Sequence, residues 1–191
     1  MKNSISNVVE IAKKICQRKL SKGDIAVDCT MGNGNDTALL CSLVGEEGRV
    51  YAFDIQEQAL LNTKKRLEGL NFLERATLIL DGHEKIDRYI KDKVQLIIFN
   101  LGYLPRGNHE ITTRSETTIE AIGKCLELLR PNGVILLIIY PGHENGKLEK
   151  VDIHEFTSAL NQKEFNVVQV CFTNQINNPP ELIYIERVKS N

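Results

Sequence analysis

The sequence predicts a doubly wound α/β fold, a seven-stranded and mostly parallel sheet with helices on both faces and an antiparallel hairpin at the C-terminal end. Three observations carry this. Short apolar runs alternate with helix-length stretches from residue 25 to residue 161, the pattern of a parallel sheet whose crossovers are helices. From Asn166 onward the rhythm changes, because two strand-like runs are separated by a polar turn with no room for a helix, so they must pair antiparallel. Between the first strand and the first crossover helix lies DCTMGNGND, Asp28 to Asp36, a glycine turn of the kind that receives a nucleotide-type ligand.

The elements follow in order. Ile5, Val8, Val9, Ala12, Ile15 and Leu20 recur at helical spacing and open the chain with an amphipathic helix. Parallel strands are expected at residues 25–29, 49–53, 76–80, 94–99 and 134–140, with helices at 36–44, 56–70, 84–90, 116–129 and 147–161. Leu129-Arg130-Pro131-Asn132-Gly133 reads as a helix stop. Residues 166–172 and 182–188 form the terminal hairpin. No repeat, low-complexity tract or linker interrupts the chain, and 191 residues suit one well-buried domain better than two, so one domain over 1–191 is expected.

Composition narrows the function classes. With 42% apolar and 26% charged residues the chain reads as an ordinary globular protein. No apolar run approaches the ~20 residues that cross a bilayer, and MKNSISNVVE lacks a hydrophobic signal core, so the expected setting is cytoplasmic with no membrane partner. Five scattered cysteines with no C-x-x-C pair suggest neither a disulfide framework nor a zinc site. A net charge of −1 excludes a globally basic nucleic-acid binder but leaves room for a local patch. Lys2, Lys13, Lys14, Arg18, Lys19 and Lys22 face only Glu10 at the start of the chain, which is either a solvated helix face or an RNA-contacting surface.

In a sheet of this kind ligands bind at the carboxyl ends of the strands, near the point where strand order reverses. Candidate ligand contacts fall there repeatedly: Asp28, Thr30, Gly32, Gly34, Asn35 and Asp36 after the first strand, Asp54 and Gln56 after the second, Asp81, Gly82 and His83 after the third, and Asn100 after the fourth. Glycines at 32 and 34 let a ligand approach the main chain, and the following helix presents free amides. A dinucleotide fingerprint needs a third glycine where Thr37 stands, and carboxylates repel a pyrophosphate, so NAD is disfavoured. Acids at these positions suit a ligand with hydroxyls and an amino group and no phosphate, as in S-adenosylmethionine. Asp54 is placed to accept from ribose hydroxyls, unless it only caps the next helix. Asp81 is placed to accept from an adenine amino group beside Gly82, unless Asp81-Gly82 is a plain turn. His83 titrates in a useful range, although a histidine opening a helix is often a surface residue.

NLGYLP, Asn100 to Pro105, follows the apolar strand end Leu96-Ile97-Ile98-Phe99 and resembles the N-P-P-Y element of methyltransferases that act on amino groups. Asn100 and Tyr103 match, while Leu101 and Gly102 stand where that element has prolines, which loosens the loop. The Asn100 side-chain oxygen and the Leu101 carbonyl can take two amine protons and aim the nitrogen lone pair, and the Tyr103 face can stabilise the charge that develops. A plain strand-to-loop turn is the alternative. No metal is needed. In the long polar stretch 106–118, Arg106, His109 and Arg114 can hold phosphates, whereas Thr113-x-x-Glu116 fits a helix capping box, the preferred reading for those two residues. Tyr140-Pro141-Gly142-His143 forms a second loop over the same rim, with His143 either an acid–base group or a surface residue.

Five parallel strands and a hairpin resemble the Rossmann-like sheet of class I methyltransferases. The set VDCTMGNGND, DIQ, DGH, NLGYLP, ITTRSETT, YPGHENG and NNPPELIYIE, spread over nearly the whole chain, resembles a bacterial family labelled as rRNA methylases and associated with tRNA 5-(aminomethyl)uridine methylation at the wobble position. The resemblance implies methyl transfer from S-adenosylmethionine to the aminomethyl nitrogen of wobble uridine, a tRNA anticodon stem-loop as partner, and a homodimer. An alkyl amine is mostly protonated at neutral pH, so desolvation or a base must free its lone pair; His83 and His143 are the candidates, and Asp36 could instead contact the methionine amino group. The rivals are methylation of rRNA, a small amine or a protein side chain, and a nucleoside- or RNA-binding module without catalysis.

Overall fold

The computed structural model describes residues 6–102, 113–142 and 144–188. Tyr103, Arg106, His109 and His143 therefore lie outside the described residues. The described elements are α1 (Val8–Lys19), β1 (Ile25–Asp28), α2 (Asn35–Val44), β2 (Arg49–Asp54), α3 (Glu57–Gly69), β3 (Ala76–Leu80), α4 (Ile86–Tyr89), β4 (Val94–Asn100), α5 (Ser115–Leu128), β5 (Leu129–Ile139), α6 (Glu144–Ser158), β6 (Phe165–Val170) and β7 (Glu181–Arg187). A 3-10 turn at His83–Lys85 leads into α4.

The seven strands form one sheet in the order β3-β2-β1-β4-β5-β7-β6. The first five run parallel, β7 lies antiparallel to β5, and β6 antiparallel to β7, as the polar turn between the last two strands required. Burial follows the period-two alternation of strand side chains. Val27, Ile97, Phe99, Ile135 and Leu137 meet Ile86 and the α5 residues Ala121, Ile122 and Cys125 on one face. Ala26, Leu96, Ile98, Val134 and Leu136 meet α1 and α2 on the other. Each buried Val, Leu, Ile or Phe among them contributes about 1.5–3 kcal/mol, and β4 is buried along its length until the chain reaches Asn100 at the rim. No helix among the described residues is long and apolar enough to cross a membrane.

Residues 129–133, expected to stop a helix, lie inside β5. Val94 pairs with Leu129, and the register then shifts so that Leu96 pairs with Val134. The extra residues make a bulge. Asn132 takes a left-handed φ of 61°, and a Cβ on Gly133 would sit 2.8 Å from the Arg130 carbonyl oxygen and 3.1 Å from that of Val94. Arg130 anchors the bulge through Asp24, at 2.8 Å, and Gln95.

α1 is capped by Asn7, whose side-chain oxygen accepts the Glu10 amide at 3.0 Å, and it ends at the amino edge of the sheet. There Lys19 pairs with Glu186, which lies opposite Val134 at the start of the regular part of β5. The basic end of α1 thus complements its own helix dipole and lies across the sheet from the carboxyl rim.

Candidate active site

β1 sits between β2 on one side and β4 on the other, so strand order reverses at β1 and the carboxyl ends of β1, β2, β3 and β4 share one edge. Asp28, Thr30, Gly32, Gly34, Asp36, Asp54, Asp81, His83 and Asn100 are brought together along it. The glycine turn above β1 is held from below and from the side. Below, Asp28 is fully buried, accepting the Thr37 hydroxyl at 2.6 Å and the Thr30 amide at 3.1 Å. Burial, then the nearby Asp36 carboxylate, pushes its pKa up to about 7. Asp28, expected as a cofactor contact, is fully buried with its oxygens taken up by the turn, so it bears on a bound ligand through that turn. Thr37, where a dinucleotide fold has glycine, is the residue that satisfies it.

From the side, α3 grips the turn. Thr63 donates its hydroxyl to the Gly32 carbonyl at 3.1 Å, Asn62 donates to the Asn33 side chain at 2.9 Å, and Arg66 Nε donates to the Asn33 carbonyl at 2.7 Å. None of these three residues was singled out from sequence. Gly34 has φ +74°, and a Cβ there would lie 2.9 Å from the Thr63 Cα, so glycine is required both by conformation and by close approach. As the N-cap of α2, Gly34 also leaves the first amides of that helix without a side-chain cap, while Asn35 stands exposed beside them. Asp54 accepts the Gly32 amide and the Gln56 amide, each at 3.0 Å, so it ties the glycine turn to the residue that leads into α3, without capping that helix. Burial raises its pKa against those amide hydrogen bonds. A carboxylate has about four acceptor positions, so these two bonds leave Asp54 able to accept from ribose hydroxyls.

The Asn100 end of β4 is placed by the same turn. Its amide donates to the Thr30 hydroxyl oxygen at 2.8 Å, and its side-chain Nδ2 donates to Asp36 Oδ2 at 3.1 Å. A carboxylate only accepts, so Asp36 dictates which way the Asn100 amide faces and turns Oδ1 away from itself. Leu101 is buried, and its amide donates to the Ile138 carbonyl at 2.8 Å. Gly102 has φ +146° and lies against Tyr140, whose ring carbon would be 4.0 Å from an added Cβ. Tyr140 is a partly buried aromatic whose pKa is raised by burial and by Asp36, which places it in the same corner as Asn100 and Gly102. The expected capping box at Thr113 does not form: α5 starts at Ser115 with exposed Arg114 as its N-cap residue, and the Thr113 hydroxyl is engaged with Gly102 and Glu149.

At the end of β3, Asp81 accepts from the Gly82 amide, from Lys85 and from the Tyr89 hydroxyl. The Lys85 ammonium leads in drawing its pKa down to about 2. Asp81 thus closes the turn into α4, and any ligand contact must share its oxygens with these partners. Gly82 is buried with the Glu84 carboxylate beside it. His83 lies edge-on to the Phe99 ring, with Nδ1 3.0 Å from the Cys29 carbonyl oxygen. That carbonyl accepts, so Nδ1 carries the proton and Nε2 presents a lone pair. Burial lowers the pKa of His83, keeping the ring neutral at pH 7. Nε2 is buried with no hydrogen-bond partner among the described residues. The orphaned Nε2 acceptor and the Asp54 carboxylate suit a ligand that carries N–H and O–H donors, and the uncapped amides of α2 suit a ligand acceptor such as a carboxylate. S-adenosylmethionine has that character, and Gly32, Gly34, Asp54 and His83 are the residues that would hold it.

The comparisons agree with this geometry. A family model described as "Putative rRNA methylase" matches residues 50–186. The chain is similar to the chloroplastic tRNA (mnm5s2U34)-methyltransferase of Arabidopsis thaliana, with 37% identity over 161 residues, 79% of this chain and 59% of that protein; the chain therefore spans about three-fifths of that relative. The crystal structure of an rRNA methylase of the same description from Clostridium thermocellum superposes with a TM-score of 0.95 at 48% identity, covering 97% of this chain and 100% of that one. SMU.1697c from Streptococcus mutans, solved with S-adenosylhomocysteine, gives a TM-score of 0.89 at 40% identity with the same coverage. With the glycine turn, the reversal of strand order at β1 and the Asn100 corner all in place, the chain belongs to this rRNA methylase family of class I, S-adenosylmethionine-dependent methyltransferases.

Proposed function

We propose that this chain methylates the aminomethyl nitrogen of 5-aminomethyl-(2-thio)uridine at the wobble position of tRNA, giving the 5-methylaminomethyl nucleoside, and that it works as a homodimer on the anticodon stem-loop. The observation that carries the reading is the Asp36–Asn100 hydrogen bond, 3.1 Å, which fixes the Asn100 side-chain amide with its oxygen turned away from Asp36. An amine acceptor needs such an oxygen, because its N–H groups must be held while its lone pair points at the methyl donor. The name of the Arabidopsis relative, a tRNA (mnm5s2U34)-methyltransferase, supports the same acceptor.

When bound, S-adenosylmethionine supplies an electrophilic methyl group. The protein's own residues do the rest. Asn100 Oδ1 and the Leu101 carbonyl accept the amine's protons, and the carbonyl dipoles stabilise the charge that grows on nitrogen. Tyr140 supplies an aromatic wall in that corner, alongside whatever Tyr103 contributes. Desolvation of the acceptor on binding favours the neutral amine, whose proton passes to solvent; His83, neutral and with Nε2 buried, serves the cofactor side of the site rather than that proton. An unpaired anticodon base is presented with little unstacking cost.

Nucleoside mass spectrometry of tRNA from cells with and without the protein tests the proposal. The deletion is expected to accumulate 5-aminomethyl-2-thiouridine, and Asn100→Ala is expected not to restore the methylated form. Normal modification in the deletion strain would remove the substrate assignment.

A further inference from the structure

Glu149 lies on α6 and is only 2% exposed, although it sits in a strongly charged stretch of that helix. A buried carboxylate is costly unless its oxygens are hydrogen-bonded. Two hydroxyls meet that need: Thr113 donates to Oε2 at 2.8 Å, and fully buried Thr118 donates to Oε1 at 2.8 Å. A hydroxyl has one hydrogen, and the ionised carboxylate claims the one on Thr113. Its lone pairs are then left to face the Gly102 amide, which donates to Thr113 Oγ1 at 3.1 Å. The Thr113 amide returns a hydrogen bond to the Gly102 carbonyl at 3.1 Å. Gly102 is thereby held by three linked hydrogen bonds in a conformation, φ +146°, that only glycine adopts readily.

The geometry points to Glu149 as a positioning residue for methyl transfer. Through Thr113 it holds Gly102, and through Gly102 the adjoining Asn100 and Leu101 carbonyl groups. This rests on the reading of Asn100–Gly102 as the acceptor-binding element. It also explains how that element keeps its shape without prolines at 101 and 102: the stiffness that prolines would build into the backbone is supplied by a buried acid on another helix. Thr118 holds the second carboxylate oxygen, so Glu149 has one orientation in which to do this.

The test uses the full chain with S-adenosylmethionine and tRNA purified from a strain lacking the protein. Thr113→Val keeps the shape of the side chain and removes the hydroxyl. Its kcat is expected to fall about tenfold or more, the scale of a small misplacement of a reacting group, while cofactor affinity by calorimetry stays near wild type and the protein remains folded at the assay temperature, with a melting temperature lowered by the unsatisfied carboxylate oxygen. Thr113→Ser, which keeps the hydroxyl, is expected to recover most of kcat. Adding Glu149→Gln to Thr113→Val is expected to cost nothing further, because the relay is already broken. Undiminished kcat in Thr113→Val alongside an inactive Asn100→Ala would overturn the role of Glu149 while leaving the acceptor element standing. Equal impairment of the Val and Ser variants would overturn it too. Full activity of Asn100→Ala would sink the acceptor element, and this inference with it.

Discussion

Removing the Asp36 carboxylate isolates its effect on Asn100. The hydrogen bond from Asn100 Nδ2 is 3.1 Å long and charge-assisted. Such bonds contribute about 1.5–3 kcal/mol, and Asp36 is only partly buried, so the lower end applies. That is roughly a tenfold preference for one amide orientation, at about 1.4 kcal/mol per decade. Without it Asn100 divides between two amide orientations and up to about three χ1 wells, so roughly one arrangement in six aims Oδ1 correctly. In Asp36→Ala, kcat is therefore expected to fall about five- to tenfold in single-turnover methylation at saturating S-adenosylmethionine. Asp36→Asn, whose carbonyl oxygen can still accept from Nδ2, should lose much less. Calorimetry supplies the decisive control. A kcat within about twofold of wild type, or a cofactor affinity that falls as far as kcat/KM, would show that Asp36 serves the methionine amino group rather than Asn100.

Two further outcomes follow from the acids at the rim. Asp54→Ala is expected to weaken S-adenosylmethionine binding at least about tenfold by calorimetry, as loss of a charge-assisted hydrogen bond should; unchanged affinity would leave Asp54 only as a tie on the glycine turn. Asp28 carries a folded-state pKa of about 7, above its unfolded value, so the folded state binds more protons between about pH 4 and pH 7 and this group's contribution to stability falls as pH rises through that window. The loss is on the order of a few kcal/mol, and Asp28→Asn should abolish it. Urea midpoints measured across that range would refute the assignment if both proteins showed the same slope.

Much of the architecture was legible because it rests on local patterns. Apolar runs spaced by helix-length segments specified five parallel strands, and the absence of a helix before residue 181 specified the hairpin. The acid or amide closing each of β1, β2 and β4 marked the rim. What escaped was set by tertiary packing. Arg130-Pro131-Asn132-Gly133 carries the same residues whether it stops a helix or bulges a strand, and only the partner strand at Val94 decides. The burial of Asp28 depends on a hydroxyl nine residues on. On α6 the chain inverts the usual pattern: Leu148 and Val151 are exposed at 65% and 61%, while Glu149, Ile153 and Thr157 point inward. The spacing 149, 153, 157 marks one helix face, but an acid at its head and aliphatics on the far side give no sequence signal that this is the buried one. The basic start of the chain gave no sign that α1 carries its charge to the far edge of the sheet.

The close seat of Gly34 on Thr63 carries a consequence for changing this protein by design. Any side chain at position 34 would meet the main chain of α3 rather than a movable side-chain tip, so the whole helix would have to retreat, dragging Asn62 and Arg66 off the Asn33 carbonyl and amide they clasp. Loop and helix behave as one rigid casting. The loop itself therefore admits almost no adjustment, and Asp54, which holds the Gly32 amide, shares that constraint.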